Sequence, residues 1–177
     1  DDLQEHVQSM TNISSDASNL ERINRWYCAF RLFEARPLTG WGPGTYQFVY
    51  APFQMERERT IITTRFGDGG NAHSEYLGPL AESGLPGLVS VLIIVFVSLY
   101  TAMRLIPRLS DFSMRMLASS LLLGLVTYYT HGALNNFLDT DKIGVLFWGF
   151  TAAIVAMDLY HRPDAPHKDR AIPSPNN

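Results

Sequence analysis

The chain has 177 residues, a formal net charge of -3, 46% hydrophobic and 18% charged residues, an average that would suit one soluble domain. That average conceals two unlike halves, because residues 1–82 carry charge at 18 positions and the other 95 residues at only 13, in clusters. The single cysteine, Cys28, excludes an intramolecular disulfide and any multi-cysteine metal site, and with only two lysines, Lys142 and Lys168, the chain has no basic stripe for nucleic acid.

In chain order, Ser18 followed by Glu21 has the spacing of a helix capping box. Leu20, Ile23, Trp26, Tyr27 and Phe30 recur at spacings of three and four, which predicts an amphipathic helix over about 18–35, ending before Pro37. PLTGWGPGTYQ, with Gly40, Gly42 and Gly44, reads as a turn-rich loop, and the polar run Glu56 to Gly70 as irregular. A second short helix is expected over about 71–82, with Gly84 and Pro86 marking a bend.

Three apolar segments follow. Between Glu82 and Arg104 lie 21 residues without formal charge and between Arg115 and Asp139 another 23, each enough to cross a bilayer, which takes roughly 20 residues. The first is apolar all round; in the second, Ser119, Ser120, Gly124 and Thr127 offer small surfaces for helix packing. The third has only 15 uncharged residues between Lys142 and Asp158, and spans if those ends lie near the headgroups. The expected fold class is all-α integral membrane, with about three transmembrane helices (84–104, 116–135 and 142–160) and a partly helical loop domain, 1–82. Arg104, Arg108 and Arg115 place the 105–115 loop in the cytoplasm by the positive-inside rule, so residues 1–82 and the turn 136–141 are extracytoplasmic. The proline-rich 161–177 tail is expected to be cytoplasmic and disordered. The chain opens DDLQEH, with no signal to export 82 residues, so a C-terminal piece of a longer polytopic protein is expected.

Among residues that carry chemistry, His73 stands near an expected helix start, where the helix dipole disfavours imidazolium and leaves a neutral general base; the alternative is a histidine that merely packs. Arg22, Arg25, Arg31, Arg36, Arg57, Arg59 and Arg65 are arginines in a loop without lysine, a choice suited to phosphate, although a solvated face paired with Glu21, Glu34, Glu56 and Glu58 is the plainer reading. Arg22 and Arg25 are the stronger pair, one turn apart beside Trp26. The GWGPG run offers backbone N–H groups to an anion but lacks the strand and helix of a dinucleotide fingerprint, and a plain turn explains it. His131 and Asn135 would share one helix face directed at the loop, with interhelical bonding the alternative. Asp139 and Asp141 are too few for a metal site and read as a helix cap.

Several stretches together resemble the O-antigen ligase and polymerase (Wzy/WaaL-type) superfamily of bacterial membrane glycosyltransferases. NLERINRWYCAFRLFEARPLTGWGPGTYQFVY carries Arg22, Trp26, Pro37, Gly40, Gly42 and Gly44 in that family's order; NAHSEYLGPLAESGLPGLVSVLIIVF carries the histidine, the leucine four on and the acidic-small-glycine stretch; HGALNNFLDTDKIGVLFWGF is also similar. The similarity covers residues 16–160, with Ser74 where the family commonly has asparagine after the histidine.

The resemblance implies the C-terminal portion of a GT-C-like polytopic enzyme of the bacterial inner membrane. Such an enzyme moves a glycan from an undecaprenyl-diphosphate donor to a hydroxyl on lipid A-core, another glycan chain or a protein, without nucleotide sugar, cofactor or metal. Its partners are then that lipid-linked donor, the acceptor, membrane lipids and the preceding half of the same protein. His73 and Arg22 match the family's functional positions as catalytic residues. Arg25, Arg65, Glu75, Asn71 and His131 are added as candidate substrate contacts. A lipid-linked glycan transporter and a non-catalytic assembly protein are the alternative functions.

Overall fold

The computed structural model describes residues 17–59, 70–138 and 141–161. The regular structure of the described residues is entirely helical: α1 (Ala17–Ala35), a one-turn α2 (Tyr46–Val49), α3 (Leu77–Leu105), α4 (Phe112–Gly132) and α5 (Asp141–Tyr160), with 3-10 turns at Ala51–Phe53, Glu56–Glu58 and Ile106–Arg108. Helices α3, α4 and α5 form a bundle around Ala102, Leu105, Leu109, Ala118, Leu125, Phe147, Ile154 and Met157. A second core joins Cys28, Ala29 and Leu32 of α1 to Tyr46, Tyr50, Ala72 and Ala81, so α1 and its loops sit as a cap on the first turns of α3.

Two helices meet at the expected bend: α3 (Leu77–Leu105, 29 residues) is a short helix and the apolar helix after it, joined across a kink at Gly84 (φ 65, ψ -156), and the short helix starts at Leu77 instead of near residue 71. Only glycine adopts that conformation without strain. Pro86 follows two residues later, in the first turn after the break, where its missing N–H costs little. The break lets Leu85 donate its N–H to Pro37 O at 2.8 Å, so the chain leaving α1 rests on the kink.

Helices α3 and α5 are long and apolar enough to cross a membrane, and only 17% and 22% of their most apolar windows are buried. Most of each window is therefore left uncovered by the described residues. Ile93, Phe96, Val97, Tyr100 and Met103 of α3 and Val145, Leu146 and Trp148 of α5 face outward, an apolar exterior of the kind that meets lipid or further helices. Helix α4 has 21 residues but does not match those two in apolarity. Its Ser119, Ser120, Thr127 and Thr130 hydroxyls bond carbonyls four residues back in their own helix, not a neighbour. Gly124 alone of the small residues expected to pack does so tightly, against Phe150. Helix α4 ends at Gly132, short of residue 135, because Ala133–Leu138 turns back over the cap. Asp111 caps its start by accepting from Met114 N at 2.8 Å, and Arg108 meets Asp158 at 3.6 Å, tying the α3–α4 connection to the end of α5.

Helix α1 is rotated relative to its apolar stripe. Tyr27 and Phe30 are 54% and 47% exposed, whereas Glu21, Asn24, Arg25, Cys28, Ala29 and Leu32 are buried. Small Cys28 and Ala29 allow the close approach, and the polar residues on that face find partners in the loops below. The Ser18 side chain lies outside the described residues, and Glu21 pairs with Arg25.

Replacing Gly84 by Ala puts a Cβ 2.5 Å from Pro37 O at a backbone angle that alanine resists. The variant should lose about 2 kcal/mol or more, read as a fall in Tm of the detergent-purified protein; an unchanged Tm would show that the kink does not depend on glycine.

Candidate functional site at the cap

Helix α1 presents its two paired arginines differently. Arg25 is almost wholly spent: Nε bonds Glu21 Oε1 at 3.2 Å, one terminal nitrogen donates to Asn71 O at 3.3 Å, and the guanidinium lies over the Tyr50 ring at 5.1 Å. Gly70 passes against it, where any Cβ would strike the guanidinium. Arg22, by contrast, keeps a buried Nε with no hydrogen-bond partner among the described residues. A guanidinium with an unspent donor is a group prepared for an incoming acceptor such as phosphate oxygen.

His73 stands on the turn between Gly70 and α3. It holds a left-handed backbone, φ 47, unusual for a residue with a Cβ. Side chains grip both of its backbone polar groups: its N–H donates to Asn71 Oδ1 at 3.0 Å, and its carbonyl accepts from Trp26 Nε1 at 3.4 Å. Helix α3 begins four residues later, and Ser74, in the position the family commonly gives to asparagine, caps it by accepting from Tyr76 N and Leu77 N, both at 3.3 Å. The helix dipole therefore is not what sets the His73 charge. Its pKa lies below the usual histidine value because the ring is half-buried, with the charges of Arg25 and then Arg22 adding to the effect and Glu21 opposing it. That shift favours the neutral imidazole over the imidazolium. Cys28 is no rival nucleophile, since burial pushes its thiol up to about 11.

Two carboxylates hold the surrounding loops. Glu82 fills the glycine loop: Oε2 accepts from Gly44 N at 2.8 Å, Oε1 from Tyr46 N at 2.9 Å, and its backbone carbonyl from Gly42 N at 2.7 Å. Of the GWGPG run only the Gly44 N–H meets the carboxylate, so the run is a turn whose end Glu82 anchors. Glu75 gathers the α4–α5 connection, with Oε1 accepting from Tyr128 OH at 2.6 Å and from Phe137 N and Leu138 N at 2.7 Å, while its own N–H donates to Gly132 O at 2.8 Å. Arg31 adds a two-pronged pair to Glu58, one prong at 2.7 Å, and Asn24 donates to the Glu58 carbonyl, which fixes the 56–58 turn on α1. Between the glycine loop, the His73 turn and the start of α3 lies a polar cleft of about 310 Å³.

The structure therefore brings together Arg22, Arg25, Asn71 and His73, with Glu75 on the far edge of the cleft. His131 is not among them: it is exposed at the end of α4, stacked on Phe137 at 5.4 Å, with Asn135 donating to its carbonyl. Arg65 and Asp139 lie outside the described residues, as does the Asp141 side chain. Among the described residues no cluster of three metal-ligating acids, histidines or cysteines occurs. Sequence reasoning missed Glu82, Tyr46 and Gln47; the signal for Glu82 was a three-glycine loop whose N–H groups needed acceptors, with an acid two residues before the bend.

These features define a class: a helical protein with outward-facing apolar helices and a polar histidine–arginine site on the cap at one end. A comparison with protein families matches the O-antigen ligase family over residues 2–92, just over half of the 177 residues. The chain belongs to the O-antigen ligase family, a membrane-associated family named for glycosyl transfer in O-antigen assembly. No curated protein and no solved structure matches it.

Glu82→Gln leaves one of two backbone N–H groups facing an amide that donates instead of accepting. It should cost about 1–2 kcal/mol and loosen the glycine loop, seen as faster amide hydrogen exchange at Gly44 and Tyr46. Wild-type protection there would rule out the carboxylate as the anchor.

Proposed function

We propose that the chain forms the catalytic cap and the following helices of a glycosyltransferase at the outer face of the bacterial inner membrane. It transfers a glycan from an undecaprenyl-diphosphate donor to an acceptor hydroxyl on lipid A-core, another glycan chain or a protein. The observation that carries this reading is the juxtaposition of a neutral, backbone-clamped His73 with Arg22, whose buried Nε has no partner among the described residues.

In the reaction the acceptor oxygen bonds to the anomeric carbon and the bond from that carbon to the diphosphate oxygen breaks. The acceptor proton passes to the His73 ring, and the bonding pair leaves with the diphosphate. Charge grows on that leaving group, and Arg22 stabilises it with a donor not already committed elsewhere. Arg25, bound to Glu21, Asn71 and Tyr50, holds the His73 turn against α1 and adds its positive field. The bilayer surrounds the outward apolar faces of α3 and α5, α4 crosses beside them, and the 105–115 loop with its arginines lies in the cytoplasm. A preceding part of the polypeptide covers the remaining helix faces.

Complementation with the full-length parent tests this reading at matched membrane abundance. His73→Ala should lower transfer by about 10²–10⁴-fold, the usual contribution of a general base, and Arg22→Ala by about 10²–10³-fold. Lipid-linked donor should accumulate, and the product that fails separates a ligase from a polymerase. Normal surface glycan from His73→Ala would overturn the assignment.

The pH profile is a second test. A base with a pKa below 6.5 loses activity only as pH falls through that depressed value, so kcat/KM should be flat from pH 7 upward to the next ionisation and bend down below pH 6.5. An acidic limb centred above 6.5 would contradict the environment described for His73.

A further inference from the structure

The polar cleft beside the His73 turn has no place in the chemistry above, and its lining differs from the arginine face. Its charged lining groups are the carboxylates of Glu75 and Glu82, and neither Arg22, Arg25 nor His73 lines it. We propose that this cleft is a subsite for an uncharged sugar ring, held by the side-chain amides of Gln47 and Asn71, and that the diphosphate is excluded from it. The proposal rests on the glycosyl-transfer reading and assigns to it the place where a glycan is recognised.

Three observations support it. First, the side chains of Gln47 and Asn71 keep N–H donors unused among the described residues, whereas both carboxylates are engaged. Glu82 and Glu75 are occupied by backbone N–H groups, whereas Gln47 makes no hydrogen bond among the described residues and Asn71 uses only its oxygens, Oδ1 for His73 N and the backbone carbonyl for Arg25. An amide both donates and accepts, which is what a sugar hydroxyl or acetamido group needs. Second, two carboxylates without a cation among the described lining residues disfavour an anion, so phosphate oxygens find the cleft less favourable than the Arg22 side. Third, about 310 Å³ lies at the small end of ligand pockets, roughly 300–1,000 Å³, and Asn71 and Ala72, which line the cleft, immediately precede His73 in the chain. An apolar cavity of about 150 Å³ between α3, α4 and α5 meets this cleft only at Glu75 and Pro79, which places a carboxylate where a diphosphate passing between them would have to lie.

The sugar belongs either to the acceptor or to the donor, and the kinetics distinguish them. With the full-length enzyme in detergent, Gln47→Leu should raise KM for one substrate by about tenfold, the cost of about one lost hydrogen bond to substrate, and change kcat and the other KM by much less. A rise in the acceptor KM assigns the ring to the acceptor, and a rise in the donor KM to the donor. Saturation-transfer NMR with the lipid-free repeat-unit oligosaccharide gives a readout independent of turnover: contacts should persist in His73→Ala and be lost in Gln47→Leu. Gln47→Glu keeps the size and adds a charge. It should weaken the oligosaccharide similarly and guards against misreading a packing defect. Unchanged oligosaccharide contacts and unchanged KM values in both Gln47 variants would overturn the subsite, even if His73→Ala is inactive and the glycosyl-transfer reading stands. Inorganic pyrophosphate that inhibits wild type but not Gln47→Leu would place phosphate in the cleft and overturn it too. Oligosaccharide contacts that depend on Gln47 in a protein whose His73→Ala form is fully active would retain the sugar site and remove the general base.

Discussion

The site depends on one turn of backbone. His73 stays in a left-handed conformation that costs a non-glycine residue on the order of 1–3 kcal/mol, and local sequence alone would not keep it there. Asn71 takes its N–H, Trp26 takes its carbonyl, and Arg25 takes the carbonyl of Asn71, so two of the three grips come from α1. The helix that carries Arg22 is thus the same element that sets the direction of the histidine. Because these contacts join positions 46 and 47 residues apart, neither residue reaches its working geometry unless the cap is folded on α3. Burial of Cys28, Ala29 and Leu32 against Tyr46, Tyr50, Ala72 and Ala81 supplies the driving force for that docking.

The carboxylates of Glu75 and Glu82 answer a different requirement. Loops that pass over the end of a helix bundle carry backbone N–H groups without ladder partners, and each left unpaired away from water is costly. Glu82 satisfies Gly44 and Tyr46, and Glu75 satisfies Phe137 and Leu138. Both acids stand in the His73 turn or the first turns of α3, so one short stretch of chain fixes the glycine loop on one side and the α4–α5 connection on the other. Gly40 and Gly84 are the steric counterpart: a Cβ at either would lie within 2.5 Å of facing backbone.

The extent to which this was readable from sequence follows the range of the interactions. The helical character of 18–35, the break at Gly84 and the prominence of Arg22 and His73 rest on spacing or on one-residue conformational rules, and the sequence pattern carries them. The side of α1 that is buried was not legible. Tyr27 and Phe30 read as a core stripe, yet the face turned inward is Glu21, Asn24 and Arg25; Glu21 pairs with Arg25, and Asn24 and Arg25 reach partners 34 and 46 residues away. Nor could spacing separate Arg22 from Arg25, since the difference lies wholly in what Glu21, Asn71 and Tyr50 take up. The lowered pKa of His73 was anticipated with the wrong cause: a helix dipole needs the helix to begin at the residue, and here burial and two arginines act instead. Glu75 was noticed only for its nearness to His73, and its three acceptor contacts come from Tyr128, 53 residues on, and from a turn 62–63 residues on.

The charges of the cap are sorted by sign around the His73 turn, and the sorting has a chemical consequence. A transferase that breaks a sugar–diphosphate bond must hold a neutral polyol and a developing anion within a few ångströms of one another. One uniformly basic surface would grip the diphosphate before and after the step alike, which lowers KM without raising kcat. Here Arg25 is paired with Glu21, leaving Arg22 as the cation of the pair whose buried Nε has no partner among the described residues, while the carboxylates on the cleft side disfavour phosphate there. Under the proposed transfer of a lipid-linked sugar, that arrangement would set phosphate to the α1 side of the histidine and the ring to the amide side. It does so through groups that the fold already requires to close its own loops.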